Sequence, residues 1–476
     1  MKYISTRGEA PALAFDEAML AGLAPDGGLY IPERWPRLSA DKIASFKDLS
    51  YAEIAFRAMT PFIGDAIPAA DFAAMVEAVY GADNGIFAHP EVTPLVPLGD
   101  NEWLLELFHG PTLAFKDISL QLIGRLFDHV LARRSGRVTI IGATSGDTGS
   151  AAIEACRDRD NLDIFMLHPK GRVSEVQRRQ MTTVMAANVH NIAIEGTFDD
   201  CQALLKAAFG DTGFRNEMQL SAVNSINWAR VMAQIVYYFT AAAALGAPRK
   251  SIAFSVPSGN FGNVFAGYVA RRMGLPISRL VVATNSNDIL ARFFESGRYE
   301  TAGVTPTVSP SMDIQVSSNF ERLLYDLYDR DGTMVSRLLD ELAADGGFTV
   351  DDARLAGSRA LFTGYRLDDP ATEATIAAVH RDFGMTIDPH TAIGVAAGRA
   401  RRPDASTPMI ALGCAHPAKF PDVVARATGT APELPPRLAD LLDRPEAYQV
   451  LPNDLAAVQD FMRRKATVKV EGMAAS

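Results

Sequence analysis

Cysteine is nearly absent from this chain of 476 residues: Cys156, Cys201 and Cys414 are the three it has, widely separated and odd in number. They fit neither a disulfide framework nor a zinc site, and a reducing compartment is expected. Long apolar runs are missing as well. The most hydrophobic stretch, 231–247, is interrupted by Gln234 and falls short of the roughly 20 residues that span a bilayer. It reads as a buried helix, and no membrane partner is expected. Positive charge is in deficit, with 46 Lys+Arg against 56 Asp+Glu and a formal charge of -10. That balance argues against sequence-independent binding to nucleic acid but leaves an anionic small substrate open, through local basic groups. The N-terminus, MKYISTRGEA, carries neither an apolar signal core nor an Arg-rich presequence, so the expected location is the cytoplasm. No internal repeat of 20 to 50 residues stands out. What remains is a globular composition, 48% hydrophobic and 21% charged, long enough for roughly two to four domains.

Residues 1–90 read as a helical N-terminal domain, with FDEAML and YAEIAFRAMTPF on either side of the turn-rich PDGGLYIPERWP. Short β-branched runs then alternate with amphipathic stretches, the order of α/β domains with mainly parallel sheets. The clearest strands are 138–142, 162–167, 188–194, 251–257 and 279–285, and 408–414 returns to the same pattern. The division expected is a larger α/β domain from 91–130 and 222–428, with a helical insertion near 313–384, and a smaller α/β subdomain at 131–221. Residues 429–476 read as a Pro-rich connector and a helical tail.

Four constellations carry candidate chemistry. Lys116 follows the turn-containing run FHGPTLAF and opens a probable helix. A lysine there is partly desolvated, which favours the neutral amine needed for a Schiff base or a general base. Read alone, it is a snorkelling lysine at a helix start. The turn Gly142-Ala143-Thr144-Ser145-Gly146-Asp147-Thr148-Gly149 joins a strand to a helix. Its glycines miss the dinucleotide spacing and no Gly-Lys-Ser/Thr closes it. A carboxylate suits it better than a pyrophosphate. A third turn, Ser258-Gly259-Asn260-Phe261-Gly262-Asn263, has the small residues of a nest for a single phosphate. The fourth, Asn224-Ser225-Ile226-Asn227-Trp228-Ala229-Arg230, places a hydroxyl and a guanidinium at the start of the apolar helix, where one anion could be held. Taken by itself, the second is equally a tight strand-to-helix connection with an Asp cap, the third can be a structural glycine turn, and the fourth reads first as a capped helix with a surface arginine.

Taken together, YISTRG, DGGLYIPE, FHGPTLAFKD, GATSGDTGSAA, NSINWAR, PSGNFGN, DPHTAIG and GCAHPAKFP resemble the longer, fungal and proteobacterial type of threonine synthase. These are pyridoxal-phosphate enzymes of the tryptophan-synthase-β fold group, and the resemblance spans nearly the whole chain. It implies an α/β protein of fold type II, with two open, mainly parallel subdomains and a helical N-terminal domain. Lys116 matches the lysine that holds the coenzyme, and Gly259, Asn260, Phe261, Gly262 and Asn263 match the loop around its phosphate. Thr144, Ser145, Gly146, Asp147 and Thr148 match the loop that receives the substrate carboxylate, with Asp147 where many relatives have Asn. Asn224, Ser225 and Arg230 match the segment that receives the substrate phosphate. Cys414 occupies the place where a hydroxyl commonly faces the pyridine nitrogen, and a thiol is a weaker partner there.

The activity implied is that of a carbon–oxygen lyase acting on a phosphate ester, turning O-phospho-L-homoserine and water into L-threonine and phosphate, as a monomer or homodimer. The alternatives are a β-elimination or replacement enzyme on the same fold, such as a serine/threonine dehydratase, and a homologue that has lost turnover. Histidines 390 and 416 sit in Pro-containing turns and read as structural hydrogen-bonding groups.

Overall fold

Runs of Val, Ile and Phe bounded by Gly and Asn turns become buried parallel strands here, because helices cover the sheet faces and leave no side that must be polar. The computed structural model describes residues 1–222 and 224–467. The chain divides into two units, Met1–Ser119 with Ser225–Glu433, and Leu120–Asn224 with Leu434–Ser476.

The first unit is built on a six-stranded sheet in the order Phe362–Arg366, Ile277–Thr284, Ile252–Pro257, Met409–Gly413, Glu102–Glu106 and Leu95–Gly99. All neighbours are parallel except the last pair, which is antiparallel. Ile252–Pro257 and Met409–Gly413 are buried along their whole length. Helices Gly262–Arg272 and Pro389–Arg401 pack on this sheet. Strand Phe362–Arg366 lies inside the stretch expected to be a helical insertion. Its signal is weak because it is short and carries Gly364, whose β-carbon would come within 2.5 Å of Ala291 Cα. That glycine lets the strand sit directly on helix Ile289–Ser296.

The N-terminal stretch carries four helices, Phe15–Ala21, Ala40–Ala44, Tyr51–Ile63 and Ala69–Tyr80, and an antiparallel pair of strands, Tyr3–Ser5 and Tyr30–Pro32. Trp228, fully buried, packs its ring against Tyr3 and Phe62 at centroid distances of 6.1 and 5.6 Å. The N-terminal helices thus belong to the first unit.

In the second unit the sheet has five parallel strands, Gln449–Pro452, Val189–Glu195, Leu162–Pro169, Val138–Ala143 and Leu220–Ser221. The C-terminal stretch, read from the sequence as connector and helix, therefore also supplies a strand. Four half-exposed residues ending in proline are too few to show a period of two. The following helix, Leu455–Lys465, buries Val458, Phe461 and Met462 against Ile192, Ile194 and Cys201. No helix among the described residues is long and apolar enough to cross a membrane.

Phe320 opens helix Phe320–Leu327 and meets the rings of Phe261, Phe293 and Tyr299 at 5.4, 4.7 and 4.8 Å. Phe320→Ala leaves a cavity among rings that cannot collapse together, and the expected loss is about 3–5 kcal/mol. Guanidinium denaturation of the two proteins side by side measures it.

A candidate amine and anion site

The position of Lys116 is set by the turn before it. Gly110 is required there, since a β-carbon would lie 2.3 Å from Asp117 Cβ. Asp117, fully buried, accepts hydrogen bonds from Thr112 N at 2.8 Å and Thr112 Oγ1 at 2.7 Å, and Lys419 Nζ donates to Thr112 O at 2.6 Å. So held, the chain enters helix Lys116–Arg134 at the lysine itself. The side chain is 8% exposed, and its amine donates to Ser311 Oγ at 3.3 Å. Phe115 N donates to Cys414 O at 2.8 Å, and His416 N to Leu113 O at 3.0 Å. Cys414, just past the buried strand Met409–Gly413, is thereby brought beside the lysine turn. Its thiol donates to Leu412 O at 3.7 Å.

The turn at 258–263 leaves strand Ile252–Pro257 and opens helix Gly262–Arg272. Phe261 takes the left-handed conformation at φ 60° as the helix cap. Its ring is buried against Phe294, Phe320 and Phe362, so this residue gives its backbone to the turn and its side chain to the core. The first N–H groups of the helix have no intrahelical acceptor and point their positive ends outward. Gly259 admits a close approach: a β-carbon would lie 3.0 Å from both Ser311 O and Ile314 Cδ1. Asn263 Oδ1 accepts from the hydroxyls of Tyr237 and Tyr238, and its buried Nδ2 has no partner. Ser311 touches both the Lys116 amine and Gly259. One residue thus separates the amine from the glycine turn.

In the Asn224–Arg230 segment, Asn227 is structural. Its Oδ1 caps helix Trp228–Ala244 by accepting from Ala229 N at 3.1 Å, and its Nδ2 donates to Met19 O at 2.8 Å. Asn224 is exposed. Ser225 Oγ lies 3.1 Å from Ser318 Oγ, which in turn donates to Asn260 Oδ1 at 3.2 Å. Asn319 Nδ2 donates to the carbonyls of both Ser225, at 3.0 Å, and Asn260, at 3.2 Å. Arg230 is 4% exposed in the first turn of its helix, and its Nε and Nη1 have no hydrogen-bond partner. Burial alone lowers its pKa to about 10. A buried guanidinium at a helix N-terminus with no carboxylate partner has the donors and charge that suit an anion.

The remaining predicted loop lies in the second unit. Thr144 Oγ1 accepts from the N–H groups of Gly146 and Gly149, each at 2.9 Å, which curls the loop into helix Asp147–Cys156. Ser145 and Thr148 stay partly exposed. Asp147 Oδ1 accepts from Gln177 Nε2 at 2.9 Å. Gly146 is needed at φ 140°, and a β-carbon there would meet Gln177 Cδ at 2.5 Å. Gln177, Ser311, Ser318 and Asn319 also contact these residues, and the sequence does not single them out. Each sits in a polar stretch with no hydrophobic period, and only the pair of serines before a helix start hinted at capping.

The first unit therefore joins Lys116, Cys414, the 259–263 turn and Ser225 in one connected set, and Arg230 follows Ser225 in the first turn of the next helix. The donors of this set suit pyridoxal phosphate. A nearly buried amine would serve the aldehyde, and the unpaired N–H groups of a helix start with a spare Asn263 amide would serve the phosphate.

Comparison with known proteins agrees. The family description "Threonine synthase N terminus" matches residues 2–80, "Pyridoxal-phosphate dependent enzyme" matches 86–408, and "Threonine synthase, C-terminal" matches 391–462. The chain is 60% identical over 463 residues to the threonine synthase of Pseudomonas aeruginosa, covering 97% of this chain and 98% of that one. Among solved structures it is similar to the pyridoxal-phosphate-bound threonine synthase of Brucella melitensis, with a TM-score of 0.96, 54% identity and coverage of 98% and 100%. It is also similar to the yeast threonine synthase, with a TM-score of 0.92, 40% identity and 98% coverage of each chain. An α/β chain with two mainly parallel sheets, a buried lysine beside a glycine turn and these relatives belongs to the threonine synthase family of fold type II, pyridoxal-phosphate-dependent enzymes.

Proposed function

We propose that this chain converts O-phospho-L-homoserine and water to L-threonine and phosphate through the residues assembled around Lys116. The observation that carries the reading is Arg230, a buried guanidinium with two unpartnered nitrogens, in addition to the helix start at 262. A coenzyme phosphate occupies one such place, and only a phosphorylated substrate has use for a second. A dehydratase acting on free serine or threonine does not need it.

Pyridoxal phosphate, when bound, supplies a conjugated ring that takes up the negative charge left behind as protons leave the substrate carbons. Lys116 is proposed to move those protons, first from Cα and then from Cβ, since one flexible amine at a desolvated position reaches both. Phosphate leaves Cγ with the C–O bond pair. Arg230 and Ser225, with Asn224 secondary, bind its charge as it develops. Cγ then gains a proton and becomes the methyl group. Water adds its hydroxyl at Cβ, its other proton going to the released phosphate, and Lys116 returns a proton to Cα. Gly259, Asn260, Phe261, Gly262 and Asn263 are assigned to the coenzyme phosphate through backbone N–H groups and the Asn263 amide. Thr144, Ser145, Gly146, Asp147 and Thr148 are assigned to the substrate carboxylate, with Thr144 shaping the loop through its own hydroxyl. Cys414 is assigned to the pyridine nitrogen. The reading extends to a cytoplasmic enzyme, supported by three free buried thiols, that binds no nucleic acid and acts as a monomer or homodimer. Functionally it keeps the division into 1–90, 91–130 with 222–428, 131–221 and 429–476.

Purified protein supplied with pyridoxal phosphate is expected to absorb near the blue edge of the visible and to release inorganic phosphate from phosphohomoserine, both lost in Lys116→Ala. Ammonia and pyruvate from serine, with no phosphate release from phosphohomoserine, would replace this reading with the dehydratase one.

Arg230→Met separates stability from function. Removing an uncompensated buried charge is expected to stabilise the fold by about 1–3 kcal/mol. The loss of the anion donor is expected to lower kcat/KM for phosphohomoserine at least about 100-fold. Urea melts and phosphate-release kinetics on the same preparation measure the two.

A further inference from the structure

Lys116 is tied to a second set of buried groups that the reaction above does not use. Its amine donates to Ser311 Oγ at 3.3 Å. The backbone N–H of Ser311 donates to His390 Nε2 at 3.3 Å, and His390 Nδ1 lies 2.7 Å from Asp388 Oδ2. A backbone N–H can only donate, so Nε2 is the acceptor and the ring proton sits on Nδ1, facing the carboxylate. Asp388 is fully buried, His390 is 3% exposed, and the ring of Phe420 packs at 4.9 Å from that of His390. The circuit closes on the lysine from the other side. Asp388 Oδ1 accepts from Thr391 Oγ1, Thr391 Oγ1 accepts from Cys414 N at 2.9 Å, and Cys414 O accepts from Phe115 N at 2.8 Å.

This arrangement exceeds what capping requires. Asp388 already caps helix Pro389–Arg401 through the N–H groups of His390 and Thr391. The imidazole adds a contact to a different segment. That segment, the short turn Pro310–Met312, is otherwise held by Asp313, which accepts from Asn285 Nδ2 at 2.8 Å and Thr307 Oγ1 at 2.7 Å. Asp313 holds the turn near the sheet, while His390 grips Ser311, whose hydroxyl meets the amine.

We propose that the Asp388–His390 pair is a positioning device that sets the Ser311 hydroxyl against the Lys116 amine, making Ser311 a further proton-handling contact of that amine. The inference rests on the reading of Lys116 as the coenzyme lysine. Ser311 touches the amine directly. His390 acts through Ser311, and Asp388 acts through the His390 tautomer.

The test uses the full-length, coenzyme-loaded protein. Borohydride reduction followed by mass analysis of the Lys116 peptide first establishes whether the coenzyme sits there, and absence of the adduct overturns the functional reading itself. With the adduct present, Ser311→Ala is expected to lower kcat roughly 10–100-fold with KM within about twofold. It is also expected to weaken the circular dichroism of the coenzyme's visible band. His390→Gln keeps an amide near the Nε2 position and is expected to retain most of both signals. His390→Asn places its amide near the Nδ1 position, toward Asp388, loses the Ser311 contact and is expected to behave like Ser311→Ala. Unchanged kcat and dichroism in Ser311→Ala overturns the inference while leaving the reading of Lys116 intact. So does a loss in the two histidine variants that is equal and tracks their thermal midpoints, because a purely structural histidine would act that way. Should His390→Asn fail to fold, Ser311→Ala, which removes one hydroxyl, decides alone.

Discussion

Taking a positive charge out of water without a carboxylate to receive it costs several kcal/mol even after the protein relaxes around it, and the first unit does this at Arg230. The chain carries ten more acidic than basic groups, yet Arg230 keeps Nε and Nη1 unpaired at 4% exposure. Over a few ångström a buried cation attracts an anion far more strongly than a screened net charge repels it. An acidic protein can therefore hold phosphate, provided local donors are desolvated and kept free of internal acids.

Keeping them free requires scaffolding that spends other groups. The segment 317–322 supplies it. Ser317 donates to Gly259 O, Asn319 reaches the carbonyls of Ser225 and Asn260, and Arg322 donates to Asn319 Oδ1, Tyr30 O and Ile226 O. Arg322 is as buried as Arg230, but its donors go to carbonyls, where they fix two turns and an N-terminal strand in one register. The two arginines show a division of labour that residue type alone does not reveal. One satisfies backbone and amide carbonyls, and the other keeps two nitrogens unpaired.

Much of this was legible beforehand. The strands at 138–143, 162–169, 189–195, 252–257, 277–284 and 409–413 announce themselves because buried parallel strands are almost continuously apolar. Lys116 and the 258–263 turn were legible because glycines and a lysine at strand-to-helix junctions have few other uses in combination. Phe362–Arg366 and Gln449–Pro452 were not legible, being short and interrupted by Gly or ending in Pro, with partners distant in sequence. His390 read as a structural histidine, and its Nδ1 contact two residues away suits that reading. Its Nε2 contact, 79 residues away, is a hydrogen bond too, but one that no sequence window shows.

By itself the amino-acid sequence determined the long buried strands, the glycine turns that follow two of them and the apolar surroundings of Lys116. Those properties follow from local periodicity, glycine placement and the apolar neighbours of one lysine. Tertiary structure alone decided that Arg230 is left unpaired while Arg322 is consumed, that Thr144 folds its own loop, and that Ser311 stands at the amine. Hydrogen bonds are satisfied by whichever group arrives within about 3 Å. Proximity between residues so far apart along the chain is a property of the packed sheets rather than of any sequence window.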